Sequence, residues 1–244
     1  MTDSSIRINK YLSQCGVTSR RGADNLILEK RVSINGQLVE KPGARVDPEL
    51  DSVAVDGKEV RPVGRNAYVL LNKPGRVLTT LSDPFKRRTV KHCLKNLSQR
   101  VYPVGRLDYD TEGVLLLTND GELAHRLTHP KFQVEKIYEA TVRGQFGENA
   151  GKRIEKGIPL EDGVVGRAKI VGVQARNGSS LVQLLLTEGR KREVKQLCAA
   201  VGHEVQRLRR LEFAGLNVNG LDIGQWRYLT SKEIEHLKSL VKLT

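Results

Sequence analysis

Three cysteines in 244 residues, Cys15, Cys93 and Cys198, are too few and too far apart for a disulfide framework, and no pair of them has metal-ligand spacing. A reducing, cytosolic (cytoplasmic) setting is therefore expected. No apolar run approaches the ~20 residues needed to cross a bilayer, and the polar amino terminus lacks the apolar stretch of a secretory leader, so no membrane partner is expected. Aromatic residues make up only 5%, with a single tryptophan. Acids are outnumbered as well, 28 Asp and Glu standing against 41 Lys and Arg, for a formal net charge of +13. Such a surface attracts polyanions, and counterion release favours holding them, so nucleic acid is the partner to which the charge points. The patterns G-x-x-x-x-G-K-[ST] and G-x-G-x-x-G are both missing, which removes the usual signatures of nucleotide hydrolysis and dinucleotide chemistry. His125 and His129 stand four apart, a spacing able to hold zinc on a helix. No Glu follows the first His in the metalloprotease manner and no third ligand is evident, so no metal site is expected.

The 39% hydrophobic content and the length suffice for one large domain and a small one. Apolar residues recur at helical spacing over Arg7 to Gln14 and Ser19 to Lys30, with Gly16 breaking the first helix and Ser19 able to cap the second. Asn35-Gly36 and Asp56-Gly57, each between β-formers, favour tight hairpin turns. Residues 1–60 thus form a small helix-plus-ribbon domain, and the Pro, Gly and charge of residues 61–66 read as a linker. From residue 67 to 244 short β-rich runs (Tyr68 to Leu71, Val114 to Leu117, Tyr138 to Val142, Ala168 to Val173, Leu181 to Leu186) alternate with helical patterns at Glu122 to Thr128, Glu148 to Lys156, Glu193 to Val201 and Ser231 to Lys242. The expected class is α+β, with a mixed-sheet α/β second domain. Most of the positive excess lies there, since residues 1–65 carry 11 Lys and Arg against 9 Asp and Glu.

Gly105-Arg106-Leu107-Asp108 sits between two apolar stretches and places one carboxylate beside one arginine at a loop. Taken alone, an Asp there stabilises the turn. Three other segments accompany it: Leu70-Leu71-Asn72-Lys73-Pro74-Gly75, Lys136-Ile137-Tyr138, and Glu188-Gly189-Arg190-Lys191-Arg192-Glu193-Val194-Lys195-Gln196-Leu197. Together, from about Ile6 to about Leu229, they make the chain resemble the ribosomal RNA pseudouridine synthases that carry an N-terminal S4 RNA-binding domain. Ile8-Asn9-Lys10-Tyr11-Leu12 and Thr18-Ser19-Arg20-Arg21-Gly22-Ala23 match the S4 module, in which Arg20 and Arg21 would meet phosphate.

The resemblance implies an isomerase that detaches uracil from its ribose, turns it and rejoins it through carbon-5, with neither cofactor nor metal. It makes Asp108 the catalytic carboxylate and leaves three routes open to it: attack on the sugar, attack on the base, or removal of a sugar proton. Lys195 is implied as the cation paired with Asp108, where many relatives carry Arg; Lys keeps the charge without the planar fork. Tyr138 would stack on the uracil, and Arg106 would enter the RNA stack that the uridine leaves. Arg190, Lys191 and Arg192 are further candidates for RNA contact. The resemblance leaves open which uridine and which ribosomal subunit are modified, although the spacing is nearer to the large-subunit (23S) enzymes; the expected partner is ribosomal RNA, as a stem-loop or ribosome-assembly intermediate, and the expected state is a monomer. The competing reading is a non-enzymatic RNA-binding or ribosome-assembly protein on the same fold. An altered residue at 108, 138 or 195 would favour it, and none is present. Helix-turn-helix DNA binding comes third and leaves residues 67–244 without a purpose.

Overall fold

Ser19 accepts the Gly22 N–H at 3.0 Å and so starts the helix Arg20–Leu28, which packs on the helix Ile8–Gln14 through Ala23 and Ile27. In the computed structural model, which describes residues 4–62 and 64–243, the chain divides into two units, 1–66 and 67–244. In the first, Ile8, Tyr11 and Leu12 meet Val32, Val46 and Val53 of a small β layer. Its antiparallel ribbon runs in the order Gln37–Leu38, Val32–Ile34, Val53–Val55, Lys58–Glu59. Asn35 and Gly36 (φ 50° and 80°) and Asp56 and Gly57 (50° and 76°) close its hairpins in the left-handed region that such turns require.

The second unit is built on a nine-stranded mixed sheet. Its main path is Lys169–Arg176, Ser179–Leu186, Lys136–Arg143, Val205–Phe213, Glu112–Thr118, Tyr68–Lys73, Trp226–Tyr228. Every residue of the 68–73 strand is buried, as a near-continuous apolar run demands: Leu70 packs with Val114 and Leu116 on one face, Val69 and Leu71 with Leu115 and Leu117 on the other. Helices Gly121–Thr128 and Ser231–Leu240 cover the first of these faces. Toward the other end of the sheet, helices Glu148–Lys156 and Glu193–Ala200 bury Ile154, Val194 and Leu197 against Ala140, Val182 and Leu208.

The sheet's middle strand, 205–213, contains the cluster Arg207-Leu208-Arg209-Arg210, whose charge hides its β character in the sequence. It pairs antiparallel with 136–143 and parallel with 112–118, so the loop entering 112–118 and the start of 136–143 are one strand apart. The parallel contact sets Gly113 opposite Arg210. Gly113 has φ +100°, and a Cβ there would lie 2.1 Å from the Arg210 carbonyl oxygen. Gly113→Ala combines left-handed strain with a backbone collision, and is expected to cost roughly 3 kcal/mol or more of unfolding free energy, measured by urea titration of the full chain.

Candidate active site

A lysine ends the buried 68–73 strand. The Lys73 ammonium, fully enclosed, donates to the carbonyls of Thr111 (2.8 Å) and Pro74 (3.0 Å), and at longer range to those of Asp108 (3.3 Å) and Tyr109 (3.4 Å). Its protons are thus spent on backbone carbonyls, one of its own neighbour Pro74 and the rest of the Asp108 loop. Burial pushes the ammonium down to about 8, against the attraction of Asp110, Glu112 and Asp108. From the other side Thr79 donates its hydroxyl to the Leu107 carbonyl (2.6 Å) and accepts the Leu107 N–H (3.3 Å), while the Val77 N–H donates to the Tyr109 carbonyl (3.1 Å). Gly105, at φ +73°, turns the chain into this harness.

So held, Asp108 lines a cavity of about 350 Å³ with Arg106, Tyr138 and the loop 188–192, over a floor that includes Leu186, Val194 and Leu208. The structure therefore brings Asp108, Arg106, Tyr138, Arg190, Lys191 and Arg192 to one place. Asp108 is half-buried and Arg106 exposed. Among the described residues no side chain bonds to the Asp108 carboxylate or to the Tyr138 hydroxyl, which leaves both open to a substrate. Arg190 faces acids already, Glu188 at 2.8 Å and Asp162 at 3.4 Å, whereas Lys191 and Arg192 are exposed. Arg192 caps the helix Glu193–Ala200 at φ +53°, and the buried Glu193 carboxylate takes the Arg190 N–H at 3.0 Å, fixing the loop's exit. In the amino-terminal unit Arg20 and Arg21 are exposed on the first turn of their helix, with no carboxylate partner among the described residues.

Lys195 does not pair with Asp108. Its ammonium donates to both carboxylate oxygens of Asp110, 2.6 Å each, and lines a neighbouring cavity with Glu112 and Arg207. The reason lies in the turn: the Thr111 N–H donates to the Asp108 carbonyl at 3.2 Å, and this tight reversal puts Asp108 and Asp110 on different sides of the loop. Burial works to raise the Asp110 carboxyl, but the bond and charge of Lys195 prevail and hold it below the ordinary carboxylate value. Arg207 makes a parallel pair with Glu112 at 2.6 Å. Asp110, Thr79 and the part played by Lys73 are not evident from the sequence. The one available signal is a lysine at the end of a largely apolar strand, a position where a buried cation must find oxygen.

For Lys73 the folded pKa (about 8) lies below the ordinary 10.5, so between these values the unfolded chain binds more protons than the folded one. The stability tied to this group is fully present above about 10.5, falls as pH drops, and is lost below about 8. Lys73→Met is expected to flatten the rise of unfolding free energy across that window, as read from urea unfolding of both proteins at several pH values.

Comparison with known proteins shows the family to which the chain belongs. Residues 67–200 match the family model described as RNA pseudouridylate synthase, and residues 6–51 match the S4 domain. An uncharacterised RNA pseudouridine synthase of Aquifex aeolicus is 45% identical over 98% of this chain and 96% of its own length. Ribosomal large subunit pseudouridine synthase B of Bacillus subtilis is 42% identical over 96% of each. A crystal structure of a pseudouridylate synthase superposes with a TM-score of 0.67 at 29% identity, over 95% of this chain and 99% of the other.

Proposed function

Because the chain belongs to the RNA pseudouridylate synthase family, whose members are isomerases acting on RNA, we propose that it converts one uridine of large-subunit (23S) ribosomal RNA to pseudouridine with Asp108 as the essential group. The observation that carries this reading is a carboxylate with no side-chain partner among the described residues, on a loop fixed by a buried lysine, in a cavity that Tyr138, Arg106, Lys191 and Arg192 also line and whose other acids, Glu188 and Glu193, are bonded to Arg190. The large subunit is favoured by the name of the Bacillus subtilis relative, which covers nearly the whole chain.

The reaction breaks the bond from ring nitrogen N1 to the anomeric carbon and forms one from carbon-5 to the same carbon. The carbon-5 proton leaves to solvent and N1 gains one, so nothing is added overall. The protein must hold a carboxylate against the nucleoside and keep the detached base from escaping. Asp108 supplies the carboxylate, Tyr138 stacks on the base, and Arg106 at the cavity mouth occupies the gap in the RNA stack. Lys195 acts from beyond the turn as a positioning residue, pinning Asp110 and with it the carboxyl-terminal half of the loop. Lys191 and Arg192 face the RNA backbone, Arg190 is the rim residue whose charge Glu188 and Asp162 offset, and Arg20 and Arg21 grip phosphate from the S4 unit.

Asp108→Asn preserves shape and removes the charge. Tritium release from carbon-5-labelled uridine in ribosomal RNA is expected to fall by roughly a thousandfold or more with RNA affinity retained. Turnover within tenfold of the parent would remove Asp108 from the essential role. Changing Arg20 and Arg21 to Ala together is expected to raise the apparent KM and leave the single-turnover rate nearly unchanged. The same pair of changes should flatten the plot of log affinity against log salt by roughly 0.7 to 0.9 for each phosphate that the protein no longer neutralises, as read by filter binding.

A further inference from the structure

Beside the Asp108 cavity lies a second, of about 260 Å³, which shares Arg106, Tyr138, Arg190 and the acid Glu188 with the first. Its wall is apolar, with Val104, Leu127 and Val134, and two cations stand at its Phe213 side. Arg210 is 2% exposed. Its Nε donates to the Val114 carbonyl at 2.8 Å, but its Nη2 is buried with no hydrogen-bond partner. The guanidinium lies 4.8 Å from the centroid of the Phe213 ring, and the Lys136 ammonium lies 6.0 Å from that same centroid. Lys136 donates to the carbonyls of Val134 (2.7 Å) and Thr187 (3.2 Å). Among the described residues no carboxylate forms an ion pair with either cation.

A buried guanidinium with an unused N–H, beside a half-buried ammonium and with no ion-paired carboxylate among the described residues, is unfavourable in a folded chain unless something from outside completes it. Burial and the charge of Arg210 push the Lys136 ammonium down to about 8 although Glu193 and Glu188 oppose this, which describes a group short of negative charge. Once Glu188 and Asp162 are assigned to Arg190, the cavity keeps Arg106, Lys136 and Arg210 uncompensated. A neutral carbonyl offers too little charge for three cations; a phosphate brings charge and several acceptor oxygens that can meet Arg210 and Lys136 together.

We propose that this second cavity receives a phosphate group of the bound RNA strand, next to the nucleotide whose base enters the Asp108 cavity. The inference rests on the proposed RNA-isomerising reading and assigns Lys136 and Arg210 to fixing the strand so that only the neighbouring nucleotide reaches Asp108. Backbone contacts of this kind set register without reading bases.

Ethylation interference on a large-subunit RNA fragment tests it, since ethylation neutralises single phosphates. The full chain is compared with Lys136→Gln, which keeps donors for the Val134 and Thr187 carbonyls but loses the charge, and with Arg210→Gln as a second probe. One phosphate is expected whose ethylation weakens binding to the parent by about tenfold and hardly affects either variant, the other interfering positions being unchanged. Identical interference profiles in parent and variants would overturn the proposal. Inorganic phosphate is titrated without RNA in parallel, following thermal stability: stabilisation of the parent alone, combined with identical interference profiles, would mark a site for free anion and reject the RNA assignment. Tritium release by the same preparations separates the two levels. A parent that isomerises ribosomal RNA but shows the variants' profile refutes this inference alone, whereas a parent with no isomerase activity refutes the reading beneath it.

Discussion

The buried Lys73 ammonium is the point on which the loop from Gly105 to Thr111 rests. A lysine without water must find oxygen, and the oxygens available at the end of its strand are the carbonyls of Pro74, Thr111 and, more distantly, Asp108 and Tyr109. The charge that is costly to bury thereby fixes a backbone that would otherwise be an exposed surface turn. Thr79 and Val77 complete the hold from the opposite side. A carboxylate used as nucleophile or base needs a defined position, and this arrangement confers one while no side chain among the described residues bonds to the carboxylate itself.

The charges around the loop are sorted in the same manner. Asp110 and Glu112 are neutralised by Lys195 and Arg207 on one side of the turn, so the acids that could have competed for cations near Asp108 are already occupied. On the other side Arg106, Lys191 and Arg192 face open space, joined by Lys136 and Arg210 in the adjoining cavity. A polyanion approaching this face meets positive potential with one free carboxylate in its midst. The pairing of Lys195 with Asp110 instead of Asp108 belongs to this division: the cation steadies the loop and leaves the Asp108 carboxylate open.

Much of this is legible in the residues. The apolar runs at 68–71, 114–117 and 181–186 lie inside strands, and the Asn-Gly and Asp-Gly pairs mark hairpins, because period and turn chemistry are local properties. Strand 205–213 is hidden because four of its nine residues are arginine or glutamine between residues 206 and 210, and only its place in mid-sheet, not its composition, makes it a strand. Asp108, Arg106 and Tyr138 can be named from their motifs, yet the partner of Lys195 cannot, since Asp108 and Asp110 are two residues apart and a one-turn reversal decides which of them the helix meets. The unused Nη2 of Arg210 is likewise out of reach, being a property of packing and not of spacing.

The most direct measurement is a map of pseudouridines in the ribosomal RNA of cells that carry this chain, cells that lack it, and cells that carry only Asp108→Asn. One large-subunit position is expected to be pseudouridine in the first and uridine in both others. A map unchanged by loss of the chain, or one fully restored by the Asn variant, would contradict it.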